Sequence, residues 1–177
     1  GMYVVKPTLR PDAPMRAQLF GSGTILIEVL KAQKLLEEQY NVGADVWSVT
    51  SYVNLYRDGH ACERWNRLHP SESPRVPYVT KATGDAPGVF VAASDYLKML
   101  PDVIDRWLPR RMHSLGTDGF GRSDSRAALR DFFEVDARFI TLATLHALQQ
   151  ENDIAQNVVE QAIRQFEIDV DKPDPAG

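Results

Sequence analysis

The sequence predicts an α/β fold in which a largely parallel sheet is covered by helices on both faces. Short runs rich in β-branched and aromatic residues alternate with longer segments whose apolar residues recur at helical spacing. Because parallel strands need a crossover connection, and a helix commonly supplies it, this alternation favours βαβ units. The chain has 177 residues, 44% of them hydrophobic and 25% charged, which describes one soluble globular domain with a real core.

The predicted elements follow one another in strand and helix order. The strands are residues 3–6, 17–21, 45–50, 89–93 and 112–115. The helices are residues 26–40, 52–65, 95–107, 126–133, 137–150 and 154–166. Asn41 and Gly43 are expected to close the first helix, and Pro101 to interrupt the third. Proline, serine and charged residues predict loops at 7–14 and 70–77 and a flexible tail at 169–177.

Charge and cysteine content restrict the compartment and the partners. The net charge of −4 is unfavourable for nucleic acid or an anionic membrane surface as the main partner. The single cysteine, Cys62, excludes an internal disulfide and fits a reducing cytosol. No apolar run approaches the length of a membrane span, and the first residues lack a signal-peptide pattern. The sequence therefore predicts a cytoplasmic module with no nucleic-acid or membrane partner.

One glycine-containing turn has the position, but not the residues, of a dinucleotide-binding loop. Gly21-Ser22-Gly23 follows a predicted strand and precedes a helix. The third glycine of that fingerprint is replaced by Leu26, and no acidic residue ends the next strand at 49–51. We interpret the segment as a compact turn between a strand and a helix.

Residues 60–69 offer two further interpretations. Cys62 with His60 and His69 suggests a metal site or a nucleophile with its base, but a metal site needs three or four convergent ligands. A lone helical cysteine is more often a small buried hydrophobe. Around it, arginine and tryptophan side chains form either a protein interface or a solvated helix end with a buried tryptophan. The candidate interface residues here are Arg64, Trp65 and His69, beside Glu63 and Arg67.

The most informative segment is the polar loop from Leu115 to Arg126, between the last predicted strand and a helix. Its glycines include Gly119 and Gly121, which permit positive φ or a close approach of backbone that other residues resist. We expect at least one of these two glycines to have positive φ. Ser123, Asp124 or Ser125 is expected to cap the helix that follows.

Three functions are compatible with this loop. Arg122 or Arg126 could bind an anion together with backbone amides, although Asp118 and Asp124 would repel the anion and could pair with the arginines instead. The loop could also contact a neighbouring domain, or simply cap its own helix. The candidate interface or anion-loop residues are Asp118, Gly119, Gly121, Arg122, Ser123, Asp124 and Arg126. No catalytic, cofactor-binding or metal-binding residue is predicted.

The loop and eight other segments, in this order, resemble the C-terminal domain of the homodimeric bacterial pyruvate dehydrogenase first component. That enzyme depends on thiamine diphosphate and belongs to the transketolase superfamily. The resembling segments are residues 1–3, 19–26, 45–51, 57–59, 62–66, 68–70, 74–78, 115–126 and 134–136. Any one of them is weak, whereas the ordered set is specific. The core Gly-x-x-Gly-Phe-Gly-x-Ser of the loop also resembles a shorter motif in the C-terminal domain of transketolase.

The resemblance implies a three-layer α/β/α domain with a five-stranded mixed sheet, whose first strand is antiparallel to the others. It also implies a parent enzyme that decarboxylates pyruvate on thiamine diphosphate with magnesium. That enzyme reductively acetylates a lipoyl group on the acetyltransferase component of its complex. Residues 1–177 would then be one domain of a larger enzyme, with the other domains and the dimer mate as partners. We expect residues 118–126 and 60–78 to form the docking faces.

The same resemblance places the cofactor in other domains. The chain has no Gly-Asp-Gly followed by a metal-binding asparagine, the usual thiamine-diphosphate signature, and it lacks an assignable carboxylate for the aminopyrimidine. We therefore expect no cofactor and no complete active site in this domain. Two alternatives remain: another enzyme of the transketolase superfamily, and a stand-alone protein-binding module that serves assembly.

Overall fold

A computed structural model describes all 177 residues and contains one five-stranded sheet. The strands are β1 (Met2–Lys6), β2 (Met15–Gly21), β3 (Val42–Val49), β4 (Val89–Ala93) and β5 (Met112–Leu115), in the spatial order β1-β3-β2-β4-β5. β1 is antiparallel to β3, and the other neighbours are parallel. The expected five-stranded mixed sheet with an antiparallel first strand is therefore confirmed.

Seven helices cover the two faces of the sheet. They are α1 (Leu26–Gln39), α2 (Tyr52–Leu68), α3 (Tyr78–Thr83), α4 (Met99–Asp102), α5 (Arg126–Phe132), α6 (Ala137–Gln150) and α7 (Gln156–Gln165). Short 3₁₀ turns at Gly23–Ile25 and Asp105–Trp107 complete the set. α1, α5, α6 and α7 pack on one face, and α2, α3 and α4 pack on the other.

Alternation along the strands divides the core into two clusters. In β2, Ala17 and Leu19 face the α1–α6 side, whereas Phe20 faces the α2 side and packs edge-on against Trp47 and Phe90. Both faces of the central strands are buried, as expected for parallel strands between two helical layers. The buried Gln18 is satisfied because the Trp47 Nε1–H donates to its Oε1 at 2.8 Å.

The chain order creates a topological switch beside β2. From β2 the chain passes through α1 to β3 on one side, and later reaches β4 on the other side of β2. The loops after β2 and β4 therefore leave the sheet in opposite directions. A crevice therefore forms between the two loops, at the carboxyl ends of these two strands. This is the position where open α/β sheets bind ligands.

One predicted helix was wrong, and one short helix was not predicted. The predicted helix 95–107 does not form: only the single turn of α4 and one 3₁₀ turn are helical, and Pro101 lies inside α4 rather than interrupting a helix. Residues before α4 bond instead to the loop after β5: Tyr96 O accepts from the Thr117 N–H at 2.9 Å. The short helix α3 was not predicted, because it directly follows a proline-rich loop.

Candidate functional site

The loops after β2, β4 and β5 are joined at the carboxyl edge of the sheet. The Ser22 N–H donates to Ala93 O at 3.3 Å, and the Ser94 N–H donates to Leu115 O at 3.2 Å. The Thr117 hydroxyl donates to Asp95 O at 2.9 Å. These bonds extend the strand register beyond the sheet, so residues far apart in sequence are held around one crevice.

Backbone geometry in the 116–126 loop explains one of its two candidate glycines. Gly119 has φ of +98°, and a Cβ built there would lie 2.1 Å from Pro175 O, so the position excludes a side chain on two grounds. Gly121 has no positive φ and nothing within 4 Å of such a Cβ. The expectation of at least one positive-φ glycine is confirmed at Gly119.

Three polar side chains of the loop each accept a hydrogen bond from a backbone amide. The Ser125 Oγ accepts from the Ala128 N–H at 3.2 Å and caps α5, as expected. The Asp124 Oδ1 accepts from the Ser125 N–H at 2.6 Å. Asp118 accepts from the Lys98 N–H at 3.0 Å and lies 3.6 Å from the Lys98 ammonium. Neither carboxylate pairs with an arginine of the loop, in contrast to the alternative raised by the sequence.

The arginines of this region differ in how they are held. The Arg122 guanidinium lies 4.1 Å from the centre of the Phe132 ring and has no ion pair. Arg130 pairs at 2.8 Å with the buried Glu28 of α1. Arg126, at the start of α5, is exposed and makes neither an ion pair nor a side-chain hydrogen bond. Two guanidinium groups without an ion pair therefore lie beside the crevice: that of Arg126, and that of Arg122, which contacts the Phe132 ring.

A cleft of about 300 Å³ lies between the loop, α5 and the end of β2. Its apolar lining is Ile25, Leu129, Phe133 and Val135, and its polar lining includes Thr24, Asp95, Thr117, Arg122, Arg126 and Arg130. Asp118 and Asp124 do not line it. The sequence predicted Arg122 and Arg126 but not Arg130, Thr24 and Asp95, because the cleft forms only where separate segments meet.

The outer side of the same loop is apolar and exposed. Phe120 at its tip is 92% exposed, and Tyr96 and Leu97 before α4 and Met99 at the start of α4 are also exposed. Three of these four residues fall within the helix that was predicted at 95–107, so their exposure could not be anticipated. An exposed apolar group of this kind is typical of an interaction surface.

The second candidate segment forms a stacked arrangement at the end of α2. The His69 ring stacks on Trp65 with centroids 4.3 Å apart and an interplanar angle of 10°. On the same indole, the Arg75 guanidinium lies 4.1 Å from the ring centre, and two hydrogen bonds from the Asn66 side chain hold the backbone of Arg75 beside α2. Arg64 is exposed beside the stack. Arg75 lies in the expected docking face 60–78, but it was not named individually beside Arg64, Trp65 and His69, since eleven positions separate it from Arg64.

Cys62 and His60 have structural surroundings. Cys62 is buried, and burial together with the nearby Asp58 carboxylate raises the pKa of its thiol, which disfavours the reactive thiolate. His60 Nδ1 lies 3.4 Å from Glu63, which also accepts from the Trp107 Nε1–H at 2.9 Å. No group of three or more histidine, cysteine, aspartate or glutamate side chains converges to hold a metal ion.

The structure does not bring the two candidate segments together. The 118–126 loop leads into α5 on the α1–α6 face, whereas Arg64, Trp65 and His69 belong to the layer on the other face. Both segments are largely exposed. None of the helices combines the length and apolar character that crossing a membrane requires.

Comparison with known proteins gives related results by sequence and by structure. Residues 1–136 match the sequence model of the transketolase-like TK C-terminal domain. The pyruvate dehydrogenase E1 component of Pseudomonas aeruginosa is 48% identical over 176 residues, which cover 99% of this chain and 20% of that protein. The Escherichia coli K12 protein of the same name is 49% identical over 161 residues, 90% of this chain and 18% of that protein.

Solved structures agree on the fold. A transketolase from Leishmania mexicana has a TM-score of 0.55 at 16% identity, over 85% of this chain and 18% of that one. A split-gene transketolase, described as an inactive beta4 tetramer, has a TM-score of 0.55 at 18% identity, over 84% of this chain and 42% of that one. Against the two bacterial relatives above, the chain spans about a fifth of their length.

Proposed function

Because the chain belongs to the family of transketolase-like C-terminal domains, we propose that it is the C-terminal domain of a pyruvate dehydrogenase first component. The observation that carries the proposal is 48% identity across 99% of this chain to a protein named pyruvate dehydrogenase E1 component, of which it covers 20%. The structural neighbours, at 14–18% identity, support the fold but do not separate the enzymes that share it.

The proposed parent enzyme is a cytoplasmic homodimer. It decarboxylates pyruvate on thiamine diphosphate with magnesium and transfers the acetyl group to a lipoyl group of its acetyltransferase partner. The residues of this domain do not fit that cofactor, since the chain lacks the Gly-Asp-Gly signature and no three potential metal ligands converge. We therefore assign the chemistry to the other domains and no catalytic step to this one.

The role proposed for this domain is assembly, through surfaces that remain exposed in the free chain. One is the stack of Arg75, Trp65 and His69, in which an aromatic ring and a guanidinium are already held in place. Arginine and tryptophan dominate the energetics of many interfaces, and preorganised side chains lose little entropy on binding. The other comprises the loop tip at Phe120 and the exposed Leu97 and Met99 of the 97–99 segment.

Two alternatives predict different behaviour. A domain from another transketolase-superfamily enzyme would support a different reaction in its parent. The extent of identity to the pyruvate dehydrogenase relatives favours pyruvate dehydrogenase as the parent. A stand-alone binding module would recognise a partner without any catalytic domains. Its distinguishing property would be function without a thiamine-diphosphate enzyme.

Deletion and recombination of the domain test the proposal. Three forms of a closely related full-length enzyme would be expressed. They are the intact enzyme, the enzyme without its own C-terminal domain, and the enzyme in which this 177-residue domain replaces its own. We expect the exchanged enzyme to decarboxylate pyruvate and dimerise, and the deleted one to lose dimer stability. An active, fully dimeric deletion variant would contradict an assembly role, and an inactive exchange variant that folds and dimerises would contradict the assigned parent.

A further inference from the structure

We infer that the cleft between the 116–126 loop and α5 binds a small amphipathic anion, an apolar body carrying one carboxylate or phosphate group. The loop tip at Phe120, which is proposed for assembly, does not line this cleft. It lies at the carboxyl ends of β2 and β4, where the strand order reverses. This is the position at which open α/β sheets form ligand crevices.

The charge distribution favours an anion. Arg122 and Arg126 border the cleft without carboxylate partners, while Arg130 is neutralised by Glu28. The carboxylates of Asp118 and Asp124 bond to Lys98 and to the Ser125 N–H, and neither residue lines the cleft. Asp95 is the one acidic residue in the lining, and its Oδ2 accepts from the Thr24 hydroxyl at 3.3 Å. The lining therefore keeps an excess of positive charge.

The floor of the cleft determines what else the ligand must carry. Ile25, Leu129, Phe133 and Val135 form an apolar surface below the arginines. A free inorganic anion would leave that surface wet, whereas an apolar body would remove it from water. The cleft, at about 300 Å³, is near the lower limit of small-molecule sites. One water molecule occupies about 30 Å³ of the liquid. If each non-hydrogen atom of a ligand needs a similar volume, the cleft holds about ten such atoms.

The arginine geometry suits recognition of the anionic head. Guanidinium groups bind carboxylate and phosphate through paired hydrogen bonds. Phe132 holds the Arg122 side chain against its ring, so this cation is already placed. Arg126 is free to move onto the ligand, because no other group in the chain engages its guanidinium.

Titration of the 177-residue chain, followed by ¹H–¹⁵N NMR, tests the inference with four probes. Octanoate and phenyl phosphate carry both an apolar body and an anion, octan-1-ol carries only the body, and inorganic phosphate carries only the anion. We expect the two amphipathic anions to saturate with dissociation constants of about 0.1 to 1 mM. Their shifts should centre on the amides of Thr24, Thr117 and Gly119, and their relative affinities show whether a carboxylate or a phosphate is preferred.

Variants make the charge requirement specific. Arg126→Gln should weaken binding of the better probe about tenfold, the effect of losing one charge-assisted contact. Arg67→Gln, an exposed arginine on the opposite helical layer, should leave it unchanged. Arg126 is exposed, so its replacement should not affect folding, and the spectrum of each variant checks this.

Four results would overturn the inference. They are equal affinity for octan-1-ol, equal affinity for inorganic phosphate, no saturable binding of either amphipathic anion at millimolar concentration, and shifts confined to residues outside the cleft. A loss of binding in Arg67→Gln as large as that in Arg126→Gln would also reject the site. None of these results bears on the assembly role, which the deletion and exchange variants test separately.

Discussion

Gly119 and Gly121 lie two residues apart in one loop, yet only Gly119 has a backbone conformation that requires glycine. Replacing Gly119 by alanine forces an L-residue into φ of +98° and a Cβ against Pro175 O. We expect Gly119→Ala to lower the free energy of unfolding by about 1 kcal/mol or more. Gly121→Ala, where a Cβ meets open space, should change it by less than about 0.5 kcal/mol. Urea denaturation of both variants measures the difference, and equal losses would contradict the assignment.

His113 of β5 gives a pH dependence whose sign follows from its surroundings. Burial and the nearby Arg111 charge lower the pKa of His113 below its ordinary value of 6.5. The unfolded chain therefore binds this proton more tightly than the folded chain. The resulting stability is present above pH 6.5 and is lost as the pH falls from 6.5 through the lowered pKa of the folded state.

Two measurements check the role of His113. An NMR titration should place its pKa below 6.5. Denaturation between pH 7 and pH 5 should show a smaller loss of stability in His113→Gln than in the original chain. If the variant loses as much stability as the original chain over this range, another group is responsible for the acid sensitivity.

The sequence predicted single residues best where a local rule determines them. The cap from Ser125 and the positive φ at Gly119 follow from short-range backbone requirements, and both occur. It could not predict that Phe132 holds Arg122 or that Arg75 covers Trp65. Those contacts depend on where separate segments meet in space.

Among the elements, α1 and α6 are joined by one buried carboxylate. Glu28 of α1 accepts from Arg130 at 2.8 Å and from the Ala137 N–H at the start of α6 at 3.2 Å, while the exposed Lys31 adds a third contact. The carboxylate thereby satisfies an amide at a helix N-terminus and neutralises a partly buried arginine. Its loss should loosen the contact between three helices.

Glu28→Gln should lower the free energy of unfolding by about 2 to 3 kcal/mol, because Arg130 would lose its only ion pair in a partly buried position. The matched control is Glu38→Gln on the same helix. Glu38 lies 3.8 Å from Lys34 with both side chains well exposed, so its removal should cost less than about 0.5 kcal/mol. Similar losses in the two variants would show that Glu28 does not join these helices.

Elements bounded by clear local signals were predicted at their observed limits, as for β4, β5 and α6. β3 begins three residues before its predicted start, because Gly43 belongs to the strand rather than to a helix-ending turn. There a Cβ would lie 2.4 Å from Arg10 O. The segment 95–98 was predicted as helical from its local pattern, but Tyr96 O and the Lys98 N–H bond to residues 117 and 118. A local sequence pattern does not show that a distant segment competes for these hydrogen bonds.

At the scale of the whole molecule, the sheet order and the exposed segments determine which parts of the domain were predictable. Two-sided burial of the strands could be anticipated from composition and alternation, and the antiparallel β1 came from the family resemblance. The cleft could not, because its lining comes from four separate stretches brought together only by the crossover past β2. The tail at 169–177, still expected to be flexible, also contacts this region, since the Lys172 ammonium donates to Asp131 O at 2.7 Å.

Hydrogen exchange compares the free domain with the same residues in the exchanged full-length enzyme. In the free chain, amides of β2 and β3 should exchange slowly because both strands are central and paired on two sides. Amides of 60–78 and 118–126 that lie outside helices should exchange quickly, since these segments are largely exposed.

If these segments dock on the other domains, their exchange should slow at least tenfold in the full-length enzyme, while that of the exposed loop 9–13 stays unchanged. Unchanged exchange in both segments would move the docking surface elsewhere, and the exposed β1 edge at Tyr3 and Val5 would become the next face to examine.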